Sequence, residues 1–139
     1  MITGQDLQGL WDYYSPETEE KARMYSLNPL DMVKEFAEIT GQKPNETLYA
    51  SLVHEEYEEW KSARQHESRE AELKELTDLA YVVFGYASAL GWDLMESLRR
   101  VHKNNVGRCI QPDGTVKRRE DGKILKNKDY PKVDLKDLV

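Results

Sequence analysis

Residues 55–59 read Glu-Glu-Tyr-Glu-Glu, and residues 75–83 read Glu-Leu-Thr-Asp-Leu-Ala-Tyr-Val-Val. Both stretches lie within helical periodicity, and in both the acids fall where apolar side chains belong. A helix is expected from about Asn45 to about Gln65, with an apolar stripe of Leu48, Leu52, Trp60 and Ala63 flanked by Tyr49 and Val53. On a wheel of about 100° per residue, Glu55, Glu56 and Glu59 fall in or beside that stripe. Glu58 and His54 fall on the opposite side, where charge is normally solvated. A second helix is expected from about Arg69 to Leu90, stopped by Gly91. It is apolar almost all round from Leu79 onward, which predicts burial on most sides. Glu75 and Asp78 lie one turn apart on it, in line with Val82, Gly85 and Ala89.

Ionised carboxylates gathered on inward faces are costly, and like charges raise the cost. A cation must compensate. Glu56-x-x-Glu59 on one helix and Glu75-x-x-Asp78 on the next form two matched pairs. The fifteen intervening residues allow a turn that sets the pairs opposite each other. No Glu-x-x-His pair occurs, so the imidazole-containing di-iron bundle is excluded. An all-oxygen site favours Mg²⁺ or Mn²⁺ over zinc, copper or iron. The plainer alternative is a set of partly exposed acids paired with Lys or Arg.

A shorter helix is expected ahead of this pair, beginning at Asn28-Pro29, carrying Leu30, Val33 and Phe36-Ala37, and ending at Thr40-Gly41. A fourth begins at Asp93, with Glu96 in capping-box position, and reaches about Val106. Leu94, Leu98 and Val101 form its stripe, and Asn105 and Arg108 continue it, with His102 at the flank. Asn and Arg on an apolar line suit an oxyanion-rich ligand. Equally, Asn105 could cap the helix and leave Arg108 in solvent. Beyond Gly107, Pro112-Asp113-Gly114 marks a turn. Thr115 to Arg119 and Lys123 to Lys126 flank Asp121-Gly122, a hairpin signal. Tyr130 to Val139 is a docked or loose tail. The expected organisation is an N-terminal arm (1–28), a four-helix core (29–109) and a basic hairpin with tail (110–139). In the arm, Ser15-Pro16-Glu17 suggests a helix start, and Leu7, Leu10 and Trp11 are candidate anchors.

With 139 residues, 39% hydrophobic and 33% charged, the chain is sized for one domain with a modest core that oligomerisation would help to close. No apolar run spans a bilayer, and Met1 to Asp6 lacks a signal-peptide layout, so neither membrane insertion nor export is expected. The single cysteine, Cys109, excludes an internal disulfide and a thiolate zinc site, and a cytoplasmic location is expected. The net charge of −6 hides a division. Residues 1–98 hold eight Lys/Arg against twenty Asp/Glu, and residues 99–139 hold twelve against six. That division suits an anionic partner near the basic end, or simple attraction between the two parts. Nucleic acid ranks low as a partner, because aromatics are not interleaved with the basic residues. Asp121-Gly122-Lys123 does not make a Walker loop.

Glu55-Glu56-x-x-Glu59 followed by Glu75-Leu-x-Asp78-Leu-Ala-Tyr81 resembles the motif of the MazG-like all-α nucleoside triphosphate pyrophosphohydrolases. Val101-His102-x-x-Asn105-x-x-Arg108 and Arg119 to Lys126 extend the likeness to the short, single-domain phage type, MazZ-like members of which act on dGTP and GTP. The resemblance covers roughly residues 29–130. It implies a four-helix core completed by dimerisation, as a dimer or a dimer of dimers, and Mg²⁺-dependent cleavage between the α and β phosphates. It implies Glu56, Glu59, Glu75 and Asp78 as metal ligands, with Glu55 and Glu56 as the catalytic acids. Tyr81, Asn105, Arg108, Lys123 and Lys126 would bind the (d)NTP substrate. A phage-encoded protein of this kind would work in the host cytoplasm. Two other readings remain open from the sequence: a non-catalytic helical binding module that uses the basic end, and a phosphoribosyl-ATP pyrophosphohydrolase, which shares the metal motif.

Overall fold

A computed structural model of the chain describes residues 8, 9, 11, 12, 14 and 26–139. The expected helix start at Ser15-Pro16-Glu17 and the anchors Leu7 and Leu10 lie outside the described residues. Trp11 is described and is 60% exposed, so it is not seated as an anchor. The described part is all-α apart from one small hairpin. Its elements are α1 (Pro29–Thr40), α2 (Glu46–His66), α3 (Arg69–Ala89), α4 (Leu94–Arg108), β1 (Lys117–Arg118), β2 (Ile124–Leu125) and a final 3₁₀ turn, Lys136–Leu138. They divide between two compact units, residues 1–92 and 93–139.

In the first unit each helix starts on a side-chain cap. Asn28 Oδ1 accepts from Asp31 N at 2.9 Å, Asn45 Oδ1 from Leu48 N at 3.0 Å, and Ser68 Oγ from Ala71 N at 3.1 Å. Each cap satisfies an amide that the helix itself leaves without a carbonyl. Gly41 closes α1 with φ +69°, and Gln42 N reaches back to Ala37 O at 2.9 Å. Only Glu67 and Ser68 separate α2 from α3, and so short a link makes the two helices antiparallel neighbours. Each has 21 residues, about 31 Å of helix.

Two contacts join the helices at the end of the pair away from the link. Tyr86 Oη donates to Glu46 Oε1 at 3.5 Å. The ring of Tyr49 lies so close over Gly85 that a Cβ there would stand 2.6 Å from Tyr49 Cε1. α1 packs on α3 beside this pair and buries Leu30 and Val33.

The all-round burial expected of the second half of α3 is not found. Gly85 and Ala87 are buried, but Ala80, Tyr81 and Val83 are exposed. α1 and α2 take up only part of the circumference of α3, so an apolar side of it faces outward.

In the second unit, Asp93 Oδ1 caps α4 by accepting from Glu96 N, while the Glu96 carboxylate is engaged by Arg99 and Arg100. The buried asparagine of α4 is Asn104, one position before the Asn105 that the wheel placed on the apolar line, and Leu98 of that line is 51% exposed. The inward face is set by the C-terminal segment instead. Asn104 Nδ2 donates to Pro131 O at 2.8 Å. Arg100 forks onto Asp137 at 2.6 and 2.9 Å and also donates to Asp134 O. The tail is therefore docked. The hairpin forms where expected, with Lys117 opposite Leu125 and Arg118 opposite Ile124 around a turn through Gly122. Its strands are two residues each.

The caps yield a direct test. Asn45→Ala should lower unfolding stability by about 1 kcal/mol in chemical denaturation, and Asn45→Ser by much less, because a hydroxyl still accepts from the Leu48 amide.

Candidate metal centre and adjoining cleft

The antiparallel pairing of α2 and α3 sets Glu56 against Glu75 and Asp78. One carboxylate oxygen from each of these three lies within 4.8 Å of the others. Glu59, one turn along α2, stands within hydrogen-bonding reach of both the Glu56 and the Glu75 carboxyls. Three of the four acids singled out from the sequence thus meet in one cluster, with the exposed Glu59 at its edge. Glu55 is exposed on α2 and lies outside the three-acid cluster.

Electrostatics marks the cluster as strained. Glu56 has its pKa pushed up to about 7, first by loss of hydration and then by Glu59, Asp78 and Glu75 around it. Burial also pushes Glu75 up, against the pull of Lys74. Two oxygens, Glu56 Oε2 and Glu75 Oε2, are buried without a hydrogen-bond partner. Lys74 is the cation in place, with Nζ 2.5 Å from Asp78 Oδ2 and 3.7 Å from Glu75 Oε1. It is 67% exposed and neutralises one charge of several. Sequence reading missed it, although its i,i+4 spacing to Asp78 was the available signal. Orphaned oxygens within a desolvated, oxygen-only set are what a hard divalent cation would satisfy, so the residues fit such an ion.

The acids open onto a cleft of about 300 Å³. Glu56 and Asp78 line one end of it, and Val33, Phe36 and Tyr81 form part of the wall. Tyr81 stands edge-on to Phe36, with centroids 5.8 Å apart. Its hydroxyl pKa is raised, first by burial and then by Glu35 and Tyr49, which keeps it protonated and able to donate. Phe36 and Tyr81 also line a second, mostly apolar hollow of about 300 Å³ with Met32 and Ile39. Phe36, Gln42 and Gly85 had not been singled out as ligand-lining residues. Side chains from three helices converge here, and no single-helix pattern reports that.

In the second unit, Lys126 Nζ donates to Asn105 Oδ1 at 3.1 Å. Arg108 is half-buried, and its Nε has no partner. Lys123 is exposed in the hairpin, with its amide held by Asp121. Asn105 and Lys126 are thus brought together, and Arg108 retains a donor.

A helical hairpin that carries a desolvated cluster of carboxylates beside an apolar cleft defines the class: an all-α protein built around an acidic, metal-competent centre. The sequence pattern of the phosphoribosyl-ATP pyrophosphohydrolase family matches residues 28–105, and the chain belongs to this family, within the MazG-like all-α nucleoside triphosphate pyrophosphohydrolase superfamily. No curated protein matches the chain. The family points to a pyrophosphohydrolase acting on nucleotide phosphates and is typically dependent on a divalent metal. Among the described residues, no helix is long and apolar enough to cross a membrane.

The raised Glu56 pKa carries a pH signature. The folded chain holds a proton on Glu56 up to about pH 7, whereas the unfolded chain releases it near 4.5. Folding therefore takes up a proton in that window, and the Glu56 contribution to stability is lost as pH rises through it. In a chelator, the wild type should lose more thermal stability between pH 5 and 8 than Glu56→Gln does. Adding Mg²⁺ at pH 8 should raise the wild-type melting temperature and leave that of Glu56→Gln/Asp78→Asn nearly unmoved.

Proposed function

We propose that this chain hydrolyses (deoxy)nucleoside triphosphates between the α and β phosphates, giving a monophosphate and pyrophosphate, with Mg²⁺ as cofactor and Mn²⁺ as a substitute. The observation that carries this reading is the continuity of the Glu56–Glu75–Asp78 cluster with an aromatic-walled cleft. One end suits an ion and phosphates, and the other suits a base. A cavity of about 150 Å³ accepts benzene, so one of about twice that size has room for a base and part of its sugar.

Glu56, Glu59, Glu75 and Asp78 are the proposed ligands. A bound divalent ion supplies Lewis-acid polarisation of the phosphates and neutralises the charge that develops on them. Glu55, exposed beside the cluster, accepts the proton of the attacking water, which Glu56 orients. Asn105, Arg108, Lys123 and Lys126 supply donors of the kind that hold a triphosphate. Tyr81 contributes ring and hydroxyl to the nucleoside. The preference for dGTP and GTP is proposed from the likeness to the phage type. Phosphoribosyl-ATP stands as the second substrate reading, because the matching family is described by that activity. A cytoplasmic location accords with a nucleotide substrate.

A homodimer, alone or paired into a tetramer, is proposed from the outward face of α3. Leu73, Leu76, Ala80 and Val83 follow one another at helical spacing and are all exposed, Leu73 at 63% and Leu76 at 46%. Such a stripe is what a second copy would cover.

Two experiments test these readings. Incubation with each of the eight common (d)NTPs, and with phosphoribosyl-ATP, in Mg²⁺ should release monophosphate (or phosphoribosyl-AMP) and pyrophosphate. Glu59→Gln and Asp78→Asn should cost about a hundredfold or more in kcat/KM. Diphosphate with orthophosphate as products, or full activity in Glu59→Gln, would overturn the assignment. Sedimentation should give at least twice the chain mass for the wild type and a single-chain mass for Leu73→Glu/Leu76→Glu. A monomeric wild type would remove the dimer.

A further inference from the structure

The cleft has a gradient along its length. On α2, Tyr49, Leu52 and Glu56 line it in chain order; on α3, running the opposite way, Gly85, Val82 and Asp78 do so. From Tyr49 to Glu56, and from Gly85 to Asp78, is seven residues, about 10 Å of helix. One end is therefore acidic. The other is closed by the Tyr49 ring lying on Gly85, where a Cβ would come within 2.6 Å of Cε1 and 3.1 Å of Cδ1. The separation is of the order that a nucleoside reaches from its α-phosphate to the outer edge of its base. Gln42 lines the cleft with its Nε2 already donating to Lys43 O, and it adds an uncharged amide.

We propose that Tyr49, seated on Gly85, is the end wall of the base site and selects the nucleobase by length. This rests on the nucleotide reading given above. Glycine at 85 lets the ring sit close against the backbone of α3, which leaves the cleft its full depth. Any side chain at 85 pushes the ring back into the cleft and shortens it. A two-ring base, which needs the full depth, suffers from that more than a one-ring base does. Tyr49 is a specificity-determining residue, and Gly85 is a positioning residue that acts through it.

The test compares purine with pyrimidine substrates. Binding of the monophosphate products dGMP and dCMP is followed by calorimetry, so that recognition is read without turnover. Gly85→Ala should lower the purine-to-pyrimidine ratio, in binding and in kcat/KM, by about tenfold or more. The Mg²⁺-induced rise in melting temperature should stay as in the wild type. In a Tyr49→Ala background the same Gly85→Ala change should move the ratio by less than about threefold, because no ring is left to displace, a non-additive result. If Gly85→Ala does not fold, Tyr49 substitutions carry the test. Tyr49→Ala should change the ratio by about tenfold, and Tyr49→Phe, which keeps the ring atoms that meet Gly85, should hold it within about twofold. A folded Gly85→Ala or Tyr49→Ala with an unchanged ratio overturns the end-wall assignment and leaves the nucleotide reading intact. A wild type that leaves every nucleotide uncleaved and binds neither monophosphate overturns both.

Discussion

Mutual repulsion of carboxylates out of water is the constraint around which the first unit is arranged. Glu56, Glu75 and Asp78 are held together by the packing of α2 on α3, with Glu59 close by, against their own electrostatic preference. Lost hydration is the largest contribution at both Glu56 and Glu75, ahead of the effect of neighbouring charges. Lys74 relieves part of this from the surface, pairing with Asp78 and Glu75 and acting on Glu56 more weakly through space. A fold selected for stability alone would have placed apolar side chains at these positions, since replacing buried charge by packed hydrocarbon is often neutral or favourable. The cost makes sense when a divalent ion binds the folded state and returns the energy as affinity.

The rest of the hairpin serves that arrangement. A link of only Glu67 and Ser68 leaves little freedom in how α3 returns along α2. At the far end, Tyr86 Oη donates to Glu46 and the Tyr49 ring rests on Gly85. A slip of one residue along either helix would rotate its acids by about 100° and dissolve the cluster.

Much of this was legible in the sequence, for an identifiable reason. Helix boundaries are written in local chemistry: the starts expected at Asn28-Pro29, Asn45, Arg69 and Asp93 coincide with caps at Asn28, Asn45, Ser68 and Asp93, whose partners lie three residues on. The acids could be read because they violate the apolar stripe, and a violated pattern carries more information than an obeyed one. What could not be read depends on contacts distant in sequence. The exposure of Tyr81 and Val83 depends on how little of α3 is covered by α1 and α2, which its uniform hydrophobicity conceals. The inward residue of α4 is Asn104 and not Asn105, because the docked tail brings the Pro131 carbonyl to it. A wheel cannot anticipate a partner 27 residues downstream. The i,i+4 spacing of Lys74 to Asp78 was open to reading, but only the fold shows that both lie at the acid cluster.

The acidic stripe and the apolar stripe of the hairpin are one stripe. On α2, positions 49, 52, 56 and 59 follow one another at helical spacing, and on α3 positions 75, 78, 82 and 85 do the same. Tyr49 and Leu52 give way to Glu56 and Glu59 along one face. Gly85 and Val82 give way to Asp78 and Glu75 along the facing one. Because the helices are antiparallel, apolar meets apolar at one end and acid meets acid at the other. The proposed ion site and the proposed base site are thus two ends of a single helix–helix interface. Any change that alters how closely α2 approaches α3 moves both together, whereas a change confined to the Tyr49–Gly85 end acts on the cleft and leaves the carboxylates about two turns away in place.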